Sequence, residues 1–221
     1  MDFIWFIIDF IIHIDQHLLQ IINQFGSWTY LILFAIIFVE TGLVIFPFLP
    51  GDSLLFVASA LAALDHSILT IGLLFVIFLA AAVIGDTVNY ELGKKIGLSV
   101  TEHRVFGKFL DKEKVATAEV FFDKHGGKTI IIARFMPFIR TFAPFIAGAS
   151  NMHYGQFIRY NFFGGFLWVS ICCIAGYFFG NIPFIKEHFS LIVLAVIFIS
   201  ILPMIIAFIR SKLTKNTTKA S

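Results

Sequence analysis

Residues 40–52 read ETGLVIFPFLPGD, two acids and two prolines inside an apolar stretch that otherwise reads as one long run. Proline lacks a backbone N–H and breaks the i to i−4 ladder, so Pro47 and Pro50, with Gly51, end a helix near Phe46 and turn the chain. Non-helical backbone persists at membrane depth only where it is buried in protein or lines a wet cavity. The stretch 47–65 therefore reads as a re-entrant hairpin. Residues 129–152 have the same character, with Pro137 and Pro144 as the breaks and Arg134 and Arg140 as the charges.

The composition names the solvent. Of 221 residues, 59% are hydrophobic, 29 are Phe and only 14% are charged, more apolar surface than a water-soluble core can hide. The fold class expected is an all-α polytopic membrane protein, a single domain over 1–221. A crossing needs about 20 mostly apolar residues, which 28–46, 68–93, 157–181 and 189–210 supply. The first basic residue is Lys94, so no cleavable signal peptide is expected. Residues 1–26 mix acids, His and amides with bulky apolar side chains and read as an amphipathic interfacial helix. A slanted span is the alternative, and it would reverse the side of the N-terminus. Basic residues crowd into 94–128, an amphipathic segment, and into the tail 211–221 with Arg210 just before it, which places both segments and the C-terminus in the cytoplasm. Two interrupted stretches entering from opposite sides match an inverted-repeat transporter, with its site near the midplane between broken elements.

Charge inside such a chain is expensive. Each ionisable side chain at bilayer centre costs roughly 2.5–3.5 kcal/mol on insertion scales, so Glu40, Asp52, Arg134 and Arg140 unpaired would cost about 10 kcal/mol or more. Two carboxylates on one hairpin facing two guanidiniums on the other would offset much of that. One reading is a structural ion-pair network that docks the hairpins. The other is functional: the arginine fork suits phosphate oxygens, and a carboxylate in a low-dielectric site can take up and release a proton. Arg134 and Arg140 would then bind an anion, while Glu40 and Asp52 compete for the same donors and free them on protonation.

Three separated motifs, ETGLVIFPFLPGDS at 40–53, GDTVNYELGKKIG at 85–97 and KHGGKTIIIARFMPFIRTFAPFIAGAS at 124–150, resemble the DedA family of bacterial inner-membrane proteins. The likeness covers almost the whole chain, including the opening MDFIWFIIDFIIHID. It implies two opposed re-entrant hairpins in a helical bundle and membrane homeostasis driven by the proton-motive force. For some members it implies translocation of undecaprenyl phosphate; eukaryotic VTT-domain lipid scramblases are distant relatives. The acids on which family members rely match Glu40 and Asp52, and the arginines match Arg134 and Arg140.

Secondary positions carry two readings each. Asp86, one helical turn before Tyr90, is either a further proton or substrate contact or half of a hydrogen-bonded pair closing a helix interface, with Gly85 and Gly93 permitting close approach. Arg159 either snorkels to headgroups or touches an anionic substrate. Cys172 and Cys173 are adjacent and read as packing residues. The seven histidines form no ligand set, so neither a metal nor any other cofactor is expected. Nucleic acid is excluded as a partner, because five acids dilute the basic segment. Enzymatic readings fail on missing motifs: no phospho-histidine set is present, and Val83 stands where a GxGD protease needs glycine. The expected function is proton-linked translocation of a lipid phosphate across the bacterial inner membrane. A proton-coupled exporter of small solutes or cations is the alternative, and a scaffold without flux the blandest one.

Overall fold

Two apolar runs, 71–97 and 154–180, become helices of 27 residues each. At 1.5 Å per residue that is about 40 Å, more than the roughly 30 Å of a hydrocarbon core. A computed structural model describes residues 14–42, 51–64, 67–97, 126–136, 139–180 and 182 of the chain. All regular structure among the described residues is helical: α1 (Ile14–Phe25), a 3-10 turn (Gly26–Trp28), α2 (Thr29–Gly42), α3 (Gly51–Leu61), α4 (Ile71–Gly97), α5 (Lys128–Ala133), α6 (Ile139–Ala149) and α7 (Tyr154–Gly180). Val76 and Ile84 on α4, and Phe163, Ile174 and Phe178 on α7, are exposed, as residues facing lipid tails would be.

Local chemistry sets the helix ends. Thr70 donates its backbone N–H to the Tyr30 hydroxyl at 2.8 Å, and its carbonyl accepts from Leu74 N–H at 3.0 Å, so α4 opens with one orphan donor satisfied across the bundle. Lys94 and Lys95 close α4 as cations at the negative end of its dipole. α6 ends at Ala149 and is stopped by Asn151, whose φ of 55° is left-handed. Met152 N–H returns to Ala147 O at 3.0 Å and Asn151 N–H to Gly148 O at 3.1 Å, the paired bonds of a Schellman stop. His153 O then accepts from the amides of Gln156 and Phe157, which starts α7 three residues before the expected boundary of 157.

Pro144, read above as a hairpin break, lies instead inside α6 and is buried. The interruption falls earlier, at Arg134–Met136, where the chain forms turns. Proline at 144 removes the donor for the Arg140 carbonyl, a loss a membrane helix tolerates when neighbouring groups re-satisfy its backbone. Pro47, Pro50 and Pro137 lie outside the described residues, as do residues 1–13 of the expected interfacial helix, 98–125 of the expected basic segment, the expected span 189–210 and the tail 211–221. Within 28–46, helix is described over Thr29–Gly42, 14 residues or about 21 Å.

The same packing pattern occurs twice. With α2–α4 and α5–α7 taken as the two halves of the described chain and the two short helices of each as its arms, the first arm lies along the long helix of its own half, α2 on α4 and α5 on α7. α3 crosses to α7 and α6 crosses to α4, so each second arm rests on the long helix of the other half. Glycine permits both crossings: a side chain at Gly93 of α4 would overlap the Phe145 carbonyl of α6, and one at Gly176 of α7 would overlap the Phe56 carbonyl of α3. Two apolar clusters result, one around Leu33, Leu55, Phe78 and Val169, the other around Tyr90, Ala143, Ala147 and Phe157. α1 adds Leu18 and Ile22 to the first. Asp86 sits one turn from Ala82 of the first cluster and one turn from Tyr90 of the second, so the charged layer runs between them.

Candidate functional site

Each half contributes its interrupted element to this layer. Glu40 stands two residues before the end of α2, and Asp52 is the second residue of α3. Arg134 follows the last residue of α5, and Arg140 is the second residue of α6. The long helices contribute Asp86 and Asn89 from α4, and Asn161 and Trp168 from α7.

Arg140 spans the two acids of the first half: Nη2–H donates to Glu40 Oε1 and Nη1–H to Asp52 Oδ1. Trp168 donates its indole Nε1–H to the same Asp52 Oδ1 at 2.9 Å, and its ring lies 5.6 Å from the Arg140 guanidinium carbon, within cation–π range. Gly51 leaves room for Glu40, whose carboxylate would overlap any side chain there. Arg134 is placed differently. Its Nη2 donates to Asp86 Oδ2 and Asn161 Oδ1, and Asn161 Nδ2 donates in turn to the Val83 carbonyl at 3.1 Å. Side-chain exposure is 5% for Arg134 and 4% for Asp86.

A facing arrangement of Glu40 and Asp52 with both arginines is therefore only half of what the structure contains. Both acids go to Arg140, because α6 begins beside the end of α2 and the start of α3. Arg134 goes to Asp86, because α5 lies on α7 and brings residue 134 to the middle of α4. Three carboxylates meet two guanidiniums. The layer encloses a cavity of about 10 Å³ lined by Thr41, Asp86, Arg134, Arg140, Thr141 and Trp168. That is close to the minimum a single water needs, so no phosphate group fits without movement.

Asn89 ties α2 to α6. Its Nδ2 donates to the Thr41 carbonyl at 3.2 Å and to the Thr141 carbonyl at 2.7 Å, the residues that follow Glu40 and Arg140. Tyr90 lies apart from the ionic layer: its hydroxyl donates to the Met152 carbonyl, and its ring stacks on Phe157 with centroids 4.5 Å apart. Asp86 is hydrogen-bonded to Arg134 and also lines the cavity, while Tyr90 takes no part in that pair. Arg159 is exposed and lines a separate cavity of about 500 Å³ with His153, Gln156 and Tyr160. Asn89, Asn161 and Trp168 were not singled out from the sequence. Asn89 carried a signal, being four residues from both Gly85 and Gly93 on one stripe of α4, whereas Asn161 and Trp168 sit in an apolar run that gives them no local mark.

Comparison with known proteins bears on the whole chain. The VTT domain model matches residues 25–178. Protein DedA of Escherichia coli K12 is 50% identical over 216 residues, covering 96% of both chains. An uncharacterized membrane protein of Mycobacterium tuberculosis is 41% identical over 84% of this chain and 81% of its own length. Inner membrane protein YghB of E. coli K12 is 34% identical over 81% of this chain and 78% of its own. No solved structure matches the chain.

Proposed function

This chain belongs to the DedA family, whose domain is the VTT domain, and we propose that it is a proton-linked transporter of a lipid phosphate, undecaprenyl phosphate being the leading candidate, in the bacterial inner membrane. In this reading it is a multi-pass protein with a cytoplasmic C-terminus, and it moves its ligand without chemical change. The observation that carries the reading is the Arg140 fork, already filled by two internal carboxylates in a nearly closed cavity between the halves. An arginine fork fits phosphate as well as carboxylate. An arriving phosphate competes with Glu40 and Asp52 for Arg140, and protonation of those acids weakens the internal competitor. Arg134 lines the same cavity behind Arg140 and supplies the second positive charge.

The repeated packing supports an inverted repeat; in this reading α2, expected above as the span 28–46, joins α3 in the first re-entrant hairpin in place of 47–65 alone, and α5 and α6 form the second. Asp52, in the first turn of α3, and Arg140, on α6, pair with each other between the two hairpins. Rocking of one half against the other would part that pair first and open the cavity.

Reconstitution into vesicles tests this. A polyprenyl phosphate placed on one leaflet should reach the other when a pH gradient is imposed, and Arg140→Ala should abolish that movement while still inserting. Lipid that stays on its starting leaflet at every gradient tried removes the proposal. Solute flux that persists without any prenyl phosphate favours the exporter reading instead.

A further inference from the structure

We propose that Trp168 is a ligand-binding residue of this site, its indole N–H acting with Arg140 as the donor pair for one oxygen of a phosphate monoester headgroup. The inference rests on the lipid-phosphate reading and adds a specific contact to it. Asp52 Oδ1 accepts two hydrogen bonds at once, from Arg140 Nη1–H and from Trp168 Nε1–H at 2.9 Å. An anionic oxygen held by a guanidinium and an indole marks where the oxygen of an incoming anion sits.

Exposure decides which member of this trio moves. The Asp52 side chain is 36% exposed, against 16% for Arg140 and 1% for Glu40, and Trp168 is buried. Asp52 also sits in the first turn of the 11-residue α3, whereas Trp168 lies in the middle of the 27-residue α7. The acid can swing out, and the indole stays. An indole N–H donates and never accepts, and left unpaired in a buried site it costs free energy. Once Asp52 leaves, Trp168 therefore demands an acceptor in the same place. A phosphate oxygen fills it with charge as well as geometry, whereas a neutral hydroxyl headgroup forfeits the charge-assisted bond. The Trp168 ring face also keeps the guanidinium plane oriented during the exchange.

The test compares binding of a polyprenyl phosphate and the matching polyprenol to the full chain in nanodiscs, by native mass spectrometry. Wild-type protein should prefer the phosphate. Trp168→Phe keeps a ring but loses the N–H and should lose about tenfold of that preference, with polyprenol binding and thermal midpoint retained. Asp52→Asn weakens the internal competitor and should raise the preference. Full preference retained by Trp168→Phe overturns this inference alone, and an equal loss for both lipids reduces Trp168 to packing. A wild-type protein without preference overturns the transport reading as well. A second measurement does not depend on altering Trp168. In the Trp5→Phe, Trp28→Phe protein the one remaining indole is Trp168, and its ¹⁵N–¹H resonance should move on adding polyprenyl phosphate but not polyprenol. A resonance indifferent to the phosphate sinks the proposal.

Discussion

Replacing Arg134 by Met leaves the Asp86 carboxylate buried without its cation. Both side chains are nearly inaccessible, at 5% and 4%, so solvent screens neither the pair nor the orphan. Breaking a buried pair from one side costs roughly 3–5 kcal/mol, because the remaining charge keeps its desolvation penalty. Asn161 cannot compensate, since its amide is a neutral donor and brings no positive charge to the carboxylate. For a chain of this size each kcal/mol corresponds to about 2–4 °C, so Arg134→Met should lower the thermal midpoint by roughly 6–20 °C. The partner test is the double change Arg134→Met, Asp86→Leu. It removes both charges and replaces them with apolar groups, and it should recover most of the loss, because such replacement of a buried pair is often neutral. Fluorescence-detected size-exclusion of detergent-solubilised protein after a temperature series reads the midpoints. A single variant within about 2 °C of wild type, or a double variant no better than the single, would refute the claim that Asp86 and Arg134 form one buried unit. The double variant should still fail to transport lipid, because the second cation of the cavity is gone.

The remaining expectations use the same preparations. Asn89→Leu removes the amide that bridges the Thr41 and Thr141 carbonyls and should cost about 1–3 kcal/mol, seen as a lowered midpoint; an unchanged one would mean the bridge carries no stability. Gly93→Val drives a side chain into the Phe145 carbonyl and should abolish the monodisperse folded peak, whereas Gly72→Ala, with nothing within 4 Å of the new methyl, should leave it intact. Glu40→Gln keeps the size of the side chain but cannot titrate, so the pH dependence of transport should flatten. A transport profile identical to wild type would remove Glu40 from proton coupling.

Much of the site was legible because membrane solvent penalises charge. Glu40, Asp52, Arg134 and Arg140 stand out in apolar surroundings without any knowledge of contacts, whereas the prolines were a weaker guide, since Pro144 lies within α6. Asp86 was legible as a charge but not as the partner of Arg134, since the two are 48 residues apart and only the seating of α5 on α7 brings them together. Trp168 and Asn161 were illegible for a different reason. An aromatic or an amide in an apolar span is ordinary composition, and only the polar atom it meets makes it part of a site.

By itself the sequence determined the solvent, the two long helices, the two interrupted stretches and the four charges that need partners. Those follow from local rules: the length needed to cross hydrocarbon, the missing N–H of proline, and the cost of an ion without water. Tertiary structure alone decided that both acids of the first half go to Arg140, that Asp86 holds Arg134, and that Pro144 stays within a helix. It decided them because each second arm crosses to the long helix of the other half, at glycines whose meaning depends on a backbone carbonyl far away in the chain. The stretch 40–52 therefore announces that two acids must be neutralised, and the crossing of α6 beside α2 and α3 decides which cation does it.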